Sequence, residues 1–247
     1  MSIAIIDYGM GNTDSVIRSI EKCGANPVLS NKTSDLDSAS HIILPGVGAF
    51  QKGIENINNL GIRTKLEEQV IKFNVPFLGI CLGMQLMAKH SEEGGIDGLG
   101  WFDAMVVKFR VSDNIKYKVP HIGWNSVVPN INNLIFNNID RDAHYYFVHS
   151  YHIKCNNESD ILAKTTYDYE FSSAIKRDNI YGFQFHIIYP LPLRSNQYQH
   201  IMLLWKEPIY GYTADRYFLN RSLLGRRTMT LLQILFRLHI EFYYQDY

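Results

Sequence analysis

Residues 78–86 read "LGICLGMQL", where an apolar run ends at a glycine-flanked cysteine and a helical pattern begins. Gly79, Cys81 and Gly83 have the spacing of a nucleophile elbow, the tight turn that presents a nucleophile between a strand and a helix. Glycine suits both flanking positions because the turn leaves little room for a Cβ atom. The stretch therefore predicts that Cys81 is a nucleophile. We expect the helix N-terminus to lower the pKa of the thiol and the Leu82 N–H to face a developing oxyanion.

Apolar runs alternate with helical patterns on both sides of this elbow. The predicted strands span residues 2–7, 41–48 and 75–80, and the predicted helices span 13–24, 62–74 and 81–90. Leu66, Val70 and Phe73 have helical spacing, which places them on one face of the helix over 62–74. Strands that are apolar throughout are buried on both faces. The fold class expected is therefore α/β, with a mostly parallel central sheet flanked by helices.

The second half of the chain is richer in strands. Short β-branched or aromatic runs, separated by turn residues, predict strands over residues 101–109, 144–153, 172–177 and 179–186. No repeat or low-complexity linker interrupts them. The pattern changes only after His186, beyond which the alternation of strands and helices is lost.

Composition excludes several functional classes. The chain has 247 residues, with 24 Lys and Arg against 24 Asp and Glu, so its formal net charge is zero. That balance favours neither nucleic acid nor an anionic membrane as a partner. The three cysteines form no CxxC pair and predict neither a metal site nor a disulfide framework, so Cys23 and Cys155 are expected to be incidental. No signal peptide or membrane span is recognisable, and a reducing cytoplasm fits best.

A cysteine nucleophile needs a base. His186 ends a predicted strand, and chemistry in open parallel sheets gathers at the carboxyl ends of strands. His121 lies in a predicted loop and is a weaker rival. His149 and His152 fall inside a predicted strand, where we expect them to be packed or at the surface. The residues alone favour His186 without excluding His121.

Seven motifs, taken in order, closely resemble one family. They are "IIDYGMGN" (residues 5–12), "LPGVGAF" (44–50), "PFLGICLGMQL" (76–86), "GLGWF" (98–102), "VPHIGWN" (119–125), "YFVHSY" (146–151) and "YGFQFH" (181–186). The family is the glutamine amidotransferase subunit of imidazole glycerol phosphate synthase, within the class I, or triad, glutamine amidotransferases. The resemblance covers about three quarters of the chain. "PGVGAF" and "VPHIGWN" separate this family from the amidotransferase domains of other pathways.

This resemblance implies a flavodoxin-like fold and a Cys-His-Glu triad that hydrolyses glutamine to glutamate and ammonia, with no cofactor and no metal. It implies that a (β/α)8-barrel cyclase subunit is the partner, which uses the ammonia in histidine biosynthesis. Cys81 would form a γ-glutamyl thioester, and His186 would serve as the base that then protonates the ammonia. By the same resemblance, Gly48 and the Leu82 N–H would hold the oxyanion. The positions that match the glutamine pocket are Gln85, Ser150 and Tyr151.

The chain departs from the family immediately after His186. The family reads His-Pro-Glu-Lys-Ser, whereas this chain reads "HIIYP", so Ile188 stands at the glutamate position and the next acid is Glu207. We therefore divide the chain into an amidotransferase domain, 1–186, whose C-terminal part is missing or replaced, and an unmatched tail, 187–247. Motif, periodicity and expected length are lost together, which favours a frameshift or insertion over a point substitution. A genuinely divergent C-terminus is the alternative.

Three functions remain open at this level. The first is a glutaminase subunit that feeds a cyclase in histidine synthesis, with activity weakened because the triad glutamate is absent. The second is an amidotransferase subunit that supplies ammonia to a sugar-modifying synthetase in surface-polysaccharide synthesis. The third is a catalytically weak or dead subunit that only docks its partner.

Overall fold

A computed structural model describes residues 2–22, 24–130 and 144–186. Cys23 and the predicted tail 187–247, including Ile188, lie outside the described residues. None of the helices within the described part is both long enough and apolar enough to cross a membrane. Among the same residues, no three His, Cys, Asp or Glu side chains gather where they could hold a metal ion.

The described strands form one large mixed sheet and one two-stranded ribbon. The parallel half of the sheet has, in spatial order, β2 (Asn26–Ser30), β1 (Ser2–Ile6), β3 (His41–Gly46), β4 (Phe77–Cys81) and β14 (Ile180–Phe183). It continues through β13 (Tyr169–Arg177), β11 (Tyr151–Cys155), β7 (Phe102–Lys108), β5 (Ala88–Ser91) and β6 (Ile96–Asp97), with β12 (Ile161–Tyr167) on β13 and β9 (Val128–Pro129) on β12. The ribbon pairs β8 (His121–Ser126) with β10 (His144–His149). The strands predicted over 2–7, 41–48 and 75–80 are therefore confirmed, and β2 was not predicted.

Helices cover both faces of the parallel half. They are α1 (Thr13–Lys22), α2 (Thr33–Asp37), α3 (Phe50–Asn59), α4 (Arg63–Glu67), a π-helical turn (Glu68–Lys72) and α5 (Leu82–Gln85). Ile3 and Ile5 of β1 pack with Ile20 of α1 in one apolar layer. Ala4 and Ile6 point to the opposite layer, which contains the buried residues of α2 to α5. This alternation confirms that the central strands are buried on both faces.

The helix predicted over residues 62–74 is present but changes its winding midway. Leu66 and Val70 are fully buried as expected, whereas Phe73 is 55% exposed. The reason is the π turn, in which the Phe73 N–H donates to the carbonyl of Glu68, five residues back. The wider turn rotates Phe73 away from the buried helix face that contains Leu66 and Val70.

Two further boundaries differ from the prediction. The helix after the elbow is a single turn, α5, and β5 begins at Ala88, inside the helix predicted over 81–90. The strand predicted over 144–153 is two strands, β10 and β11, separated by a bend at Ser150. The break at Ser150 allows consecutive strands to join different sheets, β10 the ribbon and β11 the large sheet.

The tightest helix-on-sheet contact yields a stability prediction. A Cβ atom on Gly83 would lie 1.8 Å from the carbonyl oxygen of Leu44 in β3. We expect Gly83→Ala to lower the free energy of unfolding by about 3 kcal/mol, because backbone must move to relieve the overlap. Gly53→Ala in α3 is the matched control, since its Cβ would meet only the side-chain ends of Leu86 and Leu82. Chemical denaturation of both variants tests this, and equal stability in the two would contradict it.

Candidate active site

The elbow lies at the carboxyl end of the central parallel strand. Cys81 is the last residue of β4 and has φ 53° and ψ −109°, a left-handed conformation that is strained for a residue with a side chain. Gly46 at the end of β3 pairs with Cys81, and Phe183 at the end of β14 pairs with Ile80. The carboxyl ends of neighbouring parallel strands thus meet around the cysteine. This is the edge of an open sheet at which the sequence analysis expects the reactive residues.

The Cys81 thiol is buried and protonated at neutral pH. The residue is 6% exposed, and burial raises the pKa of its thiol to about 12, although hydrogen bonds from the Leu82 N–H and the Gln184 side chain oppose the rise. The lowering expected from the helix N-terminus is present, through the Leu82 N–H, but burial outweighs it and the pKa is raised. Burial removes the water that would stabilise the thiolate. The one-turn helix and the two hydrogen-bond donors stabilise the thiolate by less than this loss of hydration destabilises it. At pH 7 the thiol is therefore predominantly protonated, so its attack requires a base.

A chain of side-chain amides leads away from the thiol. Gln184 Nε2 donates to Cys81 Sγ at 3.6 Å, and Gln184 Oε1 accepts from Gln85 Nε2 at 2.9 Å. The second hydrogen on Gln85 Nε2 is donated to the Tyr151 carbonyl at 2.8 Å. A carbonyl oxygen can only accept, which fixes the orientation of both glutamines. The structure thus brings together three residues predicted for the site, Cys81, Gln85 and Tyr151, and adds Gln184.

The Tyr151 carbonyl also fixes a pair of buried histidines. His149 Nδ1–H donates to it at 2.8 Å, so His149 Nε2 must accept from His121 Nδ1–H at 3.1 Å. His121 Nε2 in turn accepts from the Asn125 amide at 3.3 Å, and that amide also donates to the Thr166 carbonyl. Burial lowers the pKa of His149 to about 3 and that of His121 to about 4, so both rings are neutral. Both are satisfied core histidines.

These positions settle the predicted roles of the other histidines. His121 begins β8 and is 2% exposed, so its prediction as a loop residue is wrong. It is held inside because the register of the ribbon pairs it with His149 of β10. His149 and His152 are both buried, which confirms that they are packed.

His186 is placed beside the ribbon. Its backbone N–H donates to the Tyr146 carbonyl at 2.9 Å, in a bridge just beyond β14. Its ring Nε2 is buried and has no hydrogen-bond partner among the described residues. Burial lowers the pKa of the ring, so it is neutral at pH 7 and able to accept a proton. No hydrogen bond within the described residues joins this ring to the Cys81 thiol.

Tyr8 is a buried neighbour of the elbow that the sequence analysis did not single out. Its ring is 2% exposed and its hydroxyl has no hydrogen-bond partner among the described residues. A Cβ on Gly46 would lie 2.2 Å from this hydroxyl, so glycine is what makes room for it. Burial raises the pKa of Tyr8, and the nearby Cys81 raises it further. Tyr8 thus stands at the junction of β3 and the elbow.

The remaining predicted residues, Gly48 and Ser150, lie outside the helices and strands. Gly48 follows β3 and has φ +112°, a conformation that favours glycine. Ser150 occupies the bend between β10 and β11, where its carbonyl accepts from the Phe109 N–H at 3.0 Å. Glu93 was missed by the sequence analysis: its carboxylate accepts from the Phe50 N–H at 2.8 Å, which ties the loop after β5 to the start of α3. Its only sequence signal is an acid in a turn.

Comparison with known proteins agrees with this geometry. The family "Glutamine amidotransferase class-I" matches residues 4–187, about three quarters of the chain. The chain belongs to the class I glutamine amidotransferases. Within the family it is similar to the imidazole glycerol phosphate synthase subunit HisH 2 of Methanococcus maripaludis, with 46% identity over 74% of this chain and 90% of that protein. The HisH 2 subunit of Pseudomonas aeruginosa is 42% identical over the same shares.

Solved structures share the fold. A crystal structure of a glutamine amidotransferase superposes with a TM-score of 0.58 at 15% identity, over 74% of this chain and 89% of that one. A glutamine amidotransferase from Thermotoga maritima superposes with a TM-score of 0.53 at 21% identity, over 76% of each chain. At these identities the likeness concerns the fold alone. It confirms the predicted class I amidotransferase architecture.

The raised pKa of Cys81 predicts an alkylation profile. Below about pH 12 the thiolate fraction rises tenfold for each pH unit, so the rate of alkylation by iodoacetamide should keep that slope from about pH 7 to pH 9.5. An ordinary thiol would begin to level off near its pKa of about 8.5. Mass spectrometry of the Cys81 peptide gives the rate, and a plateau below about pH 9 would contradict the burial of the thiol.

The Tyr8 hydroxyl has no hydrogen-bond partner in the described part of the chain, which predicts a gain of stability on its removal. Tyr8→Phe should raise the free energy of unfolding by about 1 kcal/mol, because a buried hydroxyl without a partner is costly. Tyr167→Phe is the matched control, since the Tyr167 hydroxyl donates to the Lys118 carbonyl at 2.7 Å and its loss should lower stability. Thermal unfolding compares the two, and a loss in Tyr8→Phe would refute the expectation.

Proposed function

We propose that this chain is the glutaminase subunit of an imidazole glycerol phosphate synthase, which hydrolyses glutamine to glutamate and supplies ammonia to a cyclase in histidine biosynthesis. The observation that carries the proposal is the cysteine elbow at the end of β4, in a chain 46% identical to a HisH subunit over 90% of that subunit. Relatives from other organisms carry the same name. They favour neither a sugar-modifying synthetase nor a role in docking alone. A cytoplasmic location fits such a biosynthetic role.

Cys81 is the nucleophile in this proposal. Its sulfur attacks the side-chain carbonyl of glutamine, and collapse of the tetrahedral intermediate forms a γ-glutamyl thioester and releases ammonia. Water then cleaves the thioester to glutamate and restores the thiol. Burial keeps the resting thiol protonated, so the attack depends on transfer of its proton to a base.

His186 is the base that we assign. It is neutral at pH 7, as a base must be, and it follows Gln184, the residue that touches the thiol, by two positions. Its proton would then pass to the departing ammonia. Among the described residues nothing binds its Nε2, so none of them is seen to act as the third group that usually fixes the ring.

The oxyanion and the substrate have candidate residues on neighbouring loops. The Leu82 N–H and the backbone at Gly48 are proposed to hold the oxyanion, since they belong to the elbow and to the loop after β3. Gln85, Ser150 and Tyr151 are proposed to line the glutamine pocket. Gln85 already donates both amide hydrogens within the protein, so only its oxygen is left to accept a hydrogen bond from glutamine.

An apolar face on the ribbon is the surface that we assign to the cyclase, expected to be a (β/α)8 barrel. Ile122 pairs with Val148 and Trp124 pairs with Tyr146, with 59%, 39% and 45% exposure for Ile122, Val148 and Trp124. The Tyr146 carbonyl of the same ribbon binds the His186 backbone. A partner seated here would cover exposed apolar area next to the segment that carries the proposed base.

We further propose that the tail 187–247 results from a changed reading frame or an insertion. The family match ends at residue 187, where the expected Pro-Glu-Lys-Ser is replaced. Sequencing of the locus tests this. An alternate frame or downstream segment encoding Pro-Glu-Lys-Ser and a terminal helix is expected, and its absence would favour a divergent C-terminus.

Restoring the triad should raise activity. With the cyclase present, the double variant Ile187→Pro, Ile188→Glu should release glutamate about 10 to 10⁴ times faster than the natural chain, because the acid orients the base. Ile187→Pro alone is the matched control, and Cys81→Ala gives the blank. If the natural chain already turns over as fast as the double variant, the proposed impairment is wrong.

Removing the large side chain of the ribbon should weaken docking. Trp124→Ala is expected to raise the dissociation constant for the cyclase about 30-fold, as for an exposed aromatic anchor. Phe73→Ala removes an aromatic of similar exposure, which precedes the start of β4, and should leave binding unchanged. Isothermal titration calorimetry measures both, and equal effects would place the interface elsewhere.

A further inference from the structure

Gln184 is a buried polar residue to which the mechanism has so far given no role. It is fully buried, directly beyond β14, and its Nε2 lies 3.6 Å from Cys81 Sγ. It lies at the carboxyl end of the strand that pairs with β4, so the sheet itself brings it to the elbow. Burial of an amide is costly unless its hydrogen bonds are made. In Gln184 both the amide nitrogen and the amide oxygen form hydrogen bonds.

The direction of these hydrogen bonds is set by the protein. The Tyr151 carbonyl accepts from Gln85 Nε2, so the other hydrogen on that nitrogen must go to Gln184 Oε1. Gln184 Nε2 is therefore the end that faces the sulfur. An amide donor stabilises the thiolate more than the thiol, because a hydrogen bond to a charged group is the stronger one.

We propose that Gln184 holds the Cys81 sulfur and stabilises its thiolate, and that Gln85 acts as a positioning residue by fixing the Gln184 amide. The catalytic role of Gln184 rests on the proposed function, whereas its contact with the sulfur is independent of that function. This assignment gives Gln85 a role in the protein beside the proposed contact with glutamine. Tyr8 is a titratable group that also interacts with the thiol, and its hydroxyl is neutral.

Thiol reactivity tests the proposal without any need for glutamine turnover. In Gln184→Met, whose side chain has similar length and no donor, alkylation of Cys81 by iodoacetamide at pH 8 should slow about tenfold or more. Cys155, at the end of β11, is the control within the same chain: burial also raises the pKa of its thiol to about 12, and its rate should stay within about twofold. A Cys81 rate within about twofold of the natural chain would overturn the proposal.

A matched variant separates the contact from a general effect of burying methionine. Gln69 is also buried, and its amide donates to Asp37 at 3.0 Å, away from the elbow. Gln69→Met should leave the Cys81 rate unchanged. If it slows Cys81 as much as Gln184→Met does, the proposal fails.

A second substitution covers the case in which Gln184→Met does not fold. Gln184→Glu keeps the shape and can still accept from Gln85, but it replaces the donor by a carboxylate beside the sulfur. Cys81 alkylation should then slow at least tenfold, since like charges disfavour the thiolate. An unchanged rate would count against the assignment.

Kinetics with the cyclase link the contact to catalysis. Gln184→Met should lower kcat for glutamine hydrolysis about tenfold and leave KM within about twofold, because the proposed contact is with the sulfur. A raised KM with unchanged kcat would reassign Gln184 to substrate binding and overturn the proposal. If the natural chain hydrolyses no glutamine but the alkylation difference persists, the proposed function fails and the assignment of Gln184 stands.

Discussion

The backbone turn at Cys81 is the constraint on which the structure around the site depends. A left-handed conformation at a cysteine costs about 1–3 kcal/mol and persists only where packing enforces it. Here the enforcement is by contact of backbone with backbone: Gly83 lies against the Leu44 carbonyl, and Gly79 lies against the Gly83 carbonyl. These contacts join the turn, the one-turn helix and the end of β3 into one packed unit. The position of the Cys81 thiol is set by that unit.

Burial dominates the electrostatics of this unit. The thiol, both core histidines and the tyrosine beside the elbow are all held in their neutral forms, since their desolvation outweighs the available donors. A site of this kind does not store an ionised nucleophile. It creates one only when a base takes the proton, so the proposed role of His186 would depend on the orientation of its ring.

The sequence was most informative where one residue type is required by geometry. The glycine spacing around Cys81 and the continuous apolar runs predicted the elbow, the parallel half of the sheet and their meeting point. The sequence was least informative where tertiary contacts determine the local conformation. The π turn that exposes Phe73, the bend at Ser150 and the glutamine pair beneath the thiol depend on neighbours distant in sequence. Gln184 gave one local hint, as a polar residue within an apolar strand end.

The central position of β14 has a consequence for how the chain is made. This strand joins the parallel half of the sheet to the antiparallel half, yet it is the last described strand to be synthesised. Translation at about 5–20 residues per second delivers Ile180 roughly 5 to 20 seconds after Phe77. Through that interval the hydrophobic edge of β4 has no partner on one side and can pair with strands of other chains. Protection of the nascent chain by a chaperone would thus matter most between the synthesis of these two strands.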